Sequence, residues 1–306
     1  MSISTNYYFN QAVNQMGELQ KSIAKTQMQL STGLQLTKPS DDAVKTTAIA
    51  RLNSAITRQD SYTNTLHTVA DRLQSQEIAV KSANDSITRM KELTIQAANG
   101  TLNAADRSNI AVEMSALKDG LIAISSSQDI NGNFLFSGTR IAQQPFATAK
   151  TDSPEYAGDQ NSIKVLIGDQ REMAVNRPGN EVFIGVLREK NGQRVKVGFF
   201  NVINDLIASV KGNDQTGIQR SIGELDQIAT GLTHAQSQIG ADLNLVDNQK
   251  SLIAETKLRF QKTLSSLADS DYTKAVTDLQ KETLGLQAIQ SSFSRTSALN
   301  LFNYLD

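Results

Sequence analysis

Cysteine is absent from this sequence, so neither a disulfide framework nor a thiolate metal site is available. Tryptophan is also absent and aromatic residues make up only 5%, which disfavours carbohydrate platforms and base-stacking surfaces. Acidic and basic residues nearly cancel, 31 against 30, so no basic excess points to nucleic acid or to an anionic membrane. We therefore expect no cofactor, no bound metal, no nucleic-acid partner and no membrane partner.

Long hydrophobic runs are missing as well. No window approaches the roughly 18 consecutive apolar residues of a membrane span. The opening segment, residues 1–9, lacks the basic head and the apolar stretch of about 7–15 residues that a secretory signal needs. If the protein leaves the cell, we expect export without a cleaved signal peptide.

A seven-residue hydrophobic period begins near the N-terminus and predicts a helix with one narrow apolar stripe. Its members are Phe9, Met16, Ile23 and Leu30. Gly33 and Pro39 end this helix. Ser40 then serves as the predicted N-cap of a second helix, with Asp41 and Asp42 in the first turn, where the helix dipole favours acidic side chains.

Two further helices follow in the N-terminal half. The second helix is predicted from about Asp41 to Ala98, with one apolar phase formed by Leu52, Leu66, Leu73, Val80 and Ile87. Asn103 is the predicted cap of a third helix, which closes in the run of serines at 125–127.

The C-terminal third carries the longest heptad repeat. One phase holds without interruption for eight members: Ile218, Leu225, Leu232, Ile239, Val246, Ile253, Phe260 and Leu267. This pattern predicts a long coiled-coil helix. The cap-type residues 269–271 interrupt it, and a final heptad run then contains Tyr272, Leu279, Leu286 and Phe293, followed by Leu299.

The middle of the chain has a different period. Asn131–Asn133 is a hairpin signal, and residues 134–139 read as a strand leaving it. Three of the four prolines lie in this stretch, at Pro145, Pro154 and Pro178. We predict a small β module here, and we expect the helical bundle to stay folded when a short linker replaces the module.

These patterns predict a mainly α protein with an inserted small β domain. A long antiparallel helical bundle is formed by the N- and C-terminal arms. The predicted parts are residues 1–40 plus 269–306 as a terminal-helix assembly domain, 41–130 plus 199–268 as a helical bundle, and 131–198 as a β-rich outer domain. The predicted bundle core contains Leu232, Ile239, Val246, Ile253 and Phe260.

The two terminal helices each have a narrow apolar stripe and no core of their own. We expect them to pack on each other and to bury the remaining apolar surface on neighbouring subunits. The predicted subunit-interaction residues are Phe9, Met16, Ile23, Leu30, Leu279, Leu286, Phe293 and Leu299.

Several short segments resemble a known family. The run Leu30–Ala43, with its LSTG start and its DDA end, resembles the signature of the flagellin family. The segments Met1–Ser4, Asn131–Gly138 and Ala298–Leu305 look more like the members of that family that stand between the flagellar hook and the filament. The resemblance covers both helical arms and leaves out the β module.

The resemblance implies a structural subunit and not an enzyme. It implies export through the flagellar type III apparatus and an extracellular place in the flagellum. The implied partners are further copies of the chain in a ring, hook-associated protein 1 on the hook side and flagellin on the filament side. A cytosolic export chaperone is implied at the C-terminal helices.

Two other functions are consistent with parts of the pattern. One is a flagellin-type subunit that builds the filament itself. The other belongs to a different class: a signalling coiled coil of the chemoreceptor type, rich in Ser, Thr, Gln and Ala. A signalling protein of that type needs a membrane anchor or a sensory domain, and a β insertion between its helices is unusual.

Overall fold

The computed structural model describes the backbone of residues 2–147, 154–190 and 192–302, and the side chains of residues 7–146, 154–189 and 192–295. The described chain is mainly helical, which confirms the predicted fold class. Its helices are α1 Ser2–Thr32, α2 Ala43–Ala97, α3 Ala104–Ser125, α4 Gly179–Val182, α5 Phe199–Gly212, α6 Gln215–Ala268 and α7 Tyr272–Phe302.

Short strands lie between α3 and α5 and pair as antiparallel hairpins. In the described part of the chain these hairpins are three separate two-stranded sheets. The first pairs β1 Phe146–Ala147 with β2 Glu155–Tyr156, the second β3 Lys164–Gly168 with β4 Arg171–Ala174, and the third β5 Val186–Lys190 with β6 Gln193–Val197.

The chain divides into two compact units. One contains Met1–Gln59 and Glu255–Asp306, and the other contains Asp60–Ala254. We call them the terminal unit and the central unit. The predicted β-rich outer domain, residues 131–198, is not a compact unit of its own but belongs to the central unit.

Local capping chemistry sets the ends of two predicted helices. Asn103 caps α3 as predicted. Its side-chain oxygen accepts a hydrogen bond from the backbone N–H of Asp106, and the Asp106 carboxylate accepts one from the backbone N–H of Asn103. The cap of α2 is Asp42 and not Ser40. The Asp42 carboxylate accepts the amide hydrogen of Lys45 at 2.9 Å, and the helix begins one residue after Asp42. The helix dipole also stabilises the negative charge of a carboxylate at this position.

The central unit has one continuous hydrophobic core. The α2 residues Leu66, Leu73, Val80 and Ile87 are buried in it, as are the α6 residues Leu232, Ile239, Val246 and Ile253. Phe260 was predicted to extend this core, but its side chain is only partly buried. The reason is its position in the terminal unit, whose described side chains contribute nothing to the core cluster.

The predicted strand at residues 134–139 is not a strand. Phe134 forms a single bridge, and the backbone carbonyls that a partner strand would bind are taken by side chains of α2. Arg72 Nη2 donates to the carbonyl of Phe134 at 2.9 Å, and Gln76 Nε2 donates to that of Leu135 at 2.7 Å. These buried carbonyls are satisfied without a sheet, so the segment lies on the helix as a loop.

An aromatic cluster joins the β region to the start of α5. Phe136 meets Phe183 with ring centroids 5.3 Å apart, and Phe183 meets Phe199 at 5.4 Å. Phe146 lies 5.3 Å from Phe200. All five rings are buried, and edge-to-face contacts of this kind add to the energy of burial. The β region therefore completes the core of the central unit.

We predict that replacing residues 132–198 by a short flexible linker destabilises the central unit. This reverses the expectation from the sequence, because the replacement removes Phe136, Phe146 and Phe183 from the buried cluster and leaves Gln76 without its backbone partners. Denaturant unfolding followed by far-ultraviolet circular dichroism is the measurement. A midpoint equal to that of the intact chain would contradict the prediction.

The neighbouring residues Ile253 and Leu252 provide a test of the core. Ile253 is buried, whereas half of Leu252 is exposed on the same helix. Ile253→Ala should lower the free energy of unfolding by about 2–5 kcal/mol, and Leu252→Ala should lower it by less than about 0.5 kcal/mol. Equal losses in denaturant unfolding would show that the heptad face is not the buried face.

Candidate functional site

The first and last helices of the chain, α1 and α7, pack on each other as an antiparallel pair. Phe9 meets Phe293 with ring centroids 4.8 Å apart. Two to three turns further along, Leu19 packs over Gly285, where an added Cβ would lie 3.8 Å from Leu19 Cδ1. The two ends of the chain therefore form one helical layer.

A carboxylate of α7 binds two hydroxyl groups of α1 inside this layer. Ser22 Oγ donates to Glu282 Oε1 at 2.5 Å, and Thr26 Oγ1 donates to Glu282 Oε2 at 3.1 Å. The heptad pattern did not predict this contact. The available signal was the pair of hydroxyl residues, four positions apart, that interrupts the apolar stripe of α1.

The predicted subunit-interaction residues lie mainly on the faces that α1 and α7 turn towards each other. The side chains of Met16, Ile23, Leu30, Leu279, Leu286 and Phe293 are partly buried. Phe9 is 51% exposed despite its contact with Phe293. Leu299 falls outside the described side chains. These stripes therefore contribute to pairing within one chain as well as to any contact between chains.

A second stripe of α1 lies beside the first and carries no charged residue. Helical spacing of three and four places its members, all but Gly17 exposed, along one side: Val13, Gly17, Gln20, Ala24 and Met28. Lys21 and Lys25 border this stripe, each three positions before one of its members, and Glu18 lies further round the helix. The hydrophobic pattern did not predict this stripe, because small and amide residues are not strongly hydrophobic.

Few side chains of the terminal unit are fully buried. Among those that the structure describes, only Thr26, Ala268 and Ala275 are. A pair of helices without a buried core has little apolar burial to offset the entropy of ordering its residues. The terminal unit is thus the part of the molecule with the most to gain from a neighbour.

The loops that precede α2 and α7 are tied together by their backbones. Ser270 N donates to the carbonyl of Gly33 at 2.8 Å, and Gln35 N donates to that of Ala268 at 2.7 Å. We call residues 33–35 and 268–270 the clasp. Gly33 has φ +72°, and a Cβ added to it would lie 3.1 Å from the hydroxyl oxygen of Tyr272. Glycine therefore meets both a conformational and a steric requirement.

The two acidic residues before α2 have separate roles. Asp42 caps the helix, whereas Asp41 Oδ2 accepts from Thr37 Oγ1 at 3.1 Å and from Lys38 N at 3.3 Å. Lys25 Nζ lies 3.5 Å from the same oxygen. The hydrogen bond from Thr37 and the charge of Lys25 lower the pKa of Asp41. Asp41 thus holds the loop in a tight turn.

An apolar cleft of about 190 Å³ lies beside this loop. Its lining is mainly aliphatic and comes from the loop, from the first turns of α2 and from the end of α6. The lining residues are Leu34, Leu36, Thr37, Lys38, Pro39, Thr46, Ile49 and Ala268. We call it the loop cleft.

Two family models match the helical ends of the chain. A model of the bacterial flagellin N-terminal helical region matches residues 3–140, and a model of the bacterial flagellin C-terminal helical region matches residues 222–305. The chain belongs to the flagellin family. As a member of this family it is a structural component of the bacterial flagellum. The signalling coiled coil considered above is not supported, because both helical arms match flagellin.

Individual relatives include both junction proteins and filament proteins. Flagellar hook-associated protein 3 of Escherichia coli (strain K12) is 24% identical over 316 residues, which cover 99% of this chain and 99% of the relative. Flagellin FlaB2 of Treponema pallidum (strain Nichols) is 26% identical over 273 residues, 89% of this chain and 88% of the relative. These identities are similar, and coverage does not separate the two groups, because a flagellin relative also matches over its full length.

A solved structure supports the flagellin-type fold. The crystal structure of flagellar hook associated protein-3 from Legionella pneumophila superimposes with a TM-score of 0.64 at 17% identity, covering 72% of this chain and 98% of that chain. Within the described residues, no group of three or more His, Asp or Glu side chains is placed to hold a metal ion. In the same part of the chain, no helix is both long and apolar enough to cross a membrane.

Gly33 and Gly17 provide a matched test of the clasp in this flagellin-family chain. Gly33→Ala should destabilise the clasp by about 1–2 kcal/mol, because alanine is strained at positive φ, and the added Cβ also crowds Tyr272. Gly17→Ala places a Cβ in open space within α1 and should favour the helix by roughly 0.5–1 kcal/mol.

Hydrogen exchange detected by mass spectrometry measures both effects. The peptides that contain Gln35 and Ser270 should exchange faster in Gly33→Ala than in the wild-type protein. In Gly17→Ala they should exchange at the wild-type rate or more slowly. Equal protection of these peptides in the two variants would argue against a structural role for the clasp.

Proposed function

We propose that this chain is the structural subunit that joins the flagellar hook to the filament and that it assembles through its terminal helices. The observation that carries the proposal is the composition of the terminal unit. It has two paired amphipathic helices, exposed apolar residues and almost no buried side chain among those described. The end-to-end similarity to flagellar hook-associated protein 3, together with the segments Met1–Ser4, Asn131–Gly138 and Ala298–Leu305, supports the junction role.

The uncharged stripe of α1 is the surface that we propose to meet neighbouring copies. Val13 and Met28 are nearly half exposed, and the stripe contains no charge that would have to be desolvated. Glutamine can bind backbone or side-chain groups across such a contact, and small residues such as Gly17 and Ala24 allow a second helix to approach closely. Apolar burial contributes about 25 cal/mol per Å² of surface removed from water.

The proposed partners follow from this role. Further copies of the chain form a ring, hook-associated protein 1 lies on the hook side, and flagellin lies on the filament side. Before export, a cytosolic flagellar chaperone covers the C-terminal helices and so keeps the apolar stripe of α7 from premature association. The protein reaches the extracellular flagellum and acts without catalysis.

Flagella of a strain that lacks this protein provide the direct test. A junction subunit should leave hooks that carry no filament, with flagellin released into the medium, as seen by electron microscopy. The alternative of a filament subunit predicts loss or shortening of the filament protein itself, and purified protein that polymerises alone into long filaments. Normal attached filaments in the deletion strain would refute both assignments.

Two substitutions on α1 test the proposed contact surface. Ala24→Glu places a charge in the uncharged stripe, whereas Gln11→Glu introduces the same side chain at an exposed position on the side of Glu18, which lies seven positions later. We expect Ala24→Glu to reduce the number of attached filaments at least about tenfold, because a buried unpaired charge costs several kcal/mol. Gln11→Glu should restore filaments to the deletion strain. Equal filament counts for the two variants would rule out this stripe.

A further inference from the structure

Two exposed asparagine–glycine pairs of the central unit differ in how their glycine amides are bound. One is Asn99–Gly100, in the turn between α2 and α3, and the other is Asn131–Gly132, in the turn that follows α3. In a third pair, Asn191–Gly192, the asparagine falls outside the described residues. Asparagine before glycine is prone to lose its side-chain amide, because glycine has no Cβ to hinder attack by its own backbone nitrogen.

This loss, deamidation, joins the glycine nitrogen to the asparagine side chain. The nitrogen attacks Cγ and forms a new N–Cγ bond, and Oδ1 becomes the oxyanion of a tetrahedral intermediate. The Cγ–Nδ2 bond then breaks, and Nδ2 leaves as ammonia with the proton that the glycine nitrogen has given up. Water opens the resulting succinimide ring at one of its two carbonyls and leaves either aspartate or isoaspartate. The reaction therefore needs no reagent except water.

The turn at Asn131 keeps its glycine nitrogen occupied. Gly132 N donates to the carbonyl of Asp129 at 2.9 Å, and Gly132 has φ +79°. Asp129 Oδ1 also accepts the amide hydrogens of Asn131 at 2.9 Å and of Asn133 at 3.0 Å. Attack by Gly132 N would first have to break its own hydrogen bond and open a turn that several bonds close.

A nearly buried ion pair fastens the same turn to α2. Arg72 Nη1 lies 2.6 Å from Asp129 Oδ2, while Arg72 Nη2 donates to the carbonyl of Phe134 at 2.9 Å. The Arg72 and Asp129 side chains are only 10% and 14% exposed. Opening the turn would leave these charges without their partner, so the closed form is strongly favoured.

The turn at Asn99 has the opposite arrangement. Gly100 N donates no hydrogen bond to any residue that the structure describes, and nothing lies within 4 Å of a Cβ built on Gly100. Two donors instead meet the side-chain oxygen of Asn99: Thr101 N at 3.3 Å and Thr101 Oγ1 at 3.1 Å. This oxygen gains negative charge when Gly100 N attacks, and donors placed at a developing oxyanion lower the barrier.

We propose that Asn99 is a site of spontaneous deamidation in the folded protein, assisted by Thr101, whereas the fold protects Asn131. Older copies of the chain then carry an additional negative charge between α2 and α3. Where isoaspartate forms, the main chain runs through the former side chain, and the carbonyl that accepts from Leu102 N at 3.3 Å leaves the main chain. The proposal does not depend on the junction role.

Ageing of the purified full-length chain measures both sites in one sample. Protein kept at neutral pH and physiological temperature is digested with trypsin at intervals and analysed by mass spectrometry, with the zero-time sample as the control for deamidation during digestion. Residues 92–107 form the peptide with Asn99, and residues 119–140 form the peptide with Asn131. Asn99 should deamidate at least about tenfold faster than Asn131, a difference of roughly 1.4 kcal/mol in activation free energy. Equal rates, or a faster rate at Asn131, would overturn the proposal.

Denatured protein shows whether the fold causes the difference. Concentrated guanidinium chloride removes both turns, and each asparagine is then followed by an unhindered glycine. The rate at Asn131 should therefore rise to about that at Asn99. A contrast between the sites that persists in denaturant would assign it to the flanking sequence and overturn the structural explanation.

Two substitutions test the assistance by Thr101. Thr101→Val removes the hydroxyl and keeps the backbone donor and the branched shape, so Asn99 should deamidate several-fold more slowly. Thr101→Ser keeps a hydroxyl and should deamidate at nearly the wild-type rate. The rate at Asn131 in the same samples is the internal control and should not change. A wild-type rate at Asn99 in Thr101→Val would overturn the role assigned to Thr101.

Discussion

Burial of one face of α2 and one face of α6 in the same hydrophobic core is the constraint on which the central unit depends. The apolar residues of these faces, such as Leu73 on α2 and Val246 on α6, recur at helical spacing and are buried in the core of the central unit. The β region completes the same core with aromatic rings. Residues 131–198 are therefore not an appendage, although they lie between the helical arms in the sequence. Removing α2, α6 or the β region would expose the apolar side chains that the other two contribute to the core.

Polar side chains of the long helices determine how the β region is held. Gln76 binds the backbone of both Leu135 and Arg177, and Gln249 Nε2 donates to the carbonyl of Ile167 at 3.1 Å. Each bond joins residues far apart in sequence and satisfies a backbone carbonyl that lies outside a strand or, for Ile167, at the irregularity in the pairing of β3 with β4. The helices therefore act as hydrogen-bonding partners as well as apolar surfaces, and this lets short hairpins pack without forming one large sheet.

The terminal unit, in contrast to the central unit, has almost no buried core among its described side chains. Its paired helices α1 and α7 carry enough apolar surface to contact each other, as Phe9 does with Phe293, but not enough to enclose a core. A protein with a stable centre and an incomplete end suits a subunit that must fold alone and then assemble. The clasp and the bond from Thr37 to Asp41 order the loop between α1 and α2, so the flagellin signature has a structural explanation.

The sequence by itself determined the helices, their apolar faces and the family, because heptad spacing and caps such as Asn103 are local properties of the chain. It could not distinguish Ser40 from Asp42 as a cap, since both are good capping residues and only the path of the loop decides. It also could not show that residues 134–139 form a loop. That outcome depends on Arg72 and Gln76, about 60 positions away, which take the carbonyls of a segment with high strand propensity. Tertiary structure decided these features because they depend on partners distant in sequence, whose positions no local pattern records.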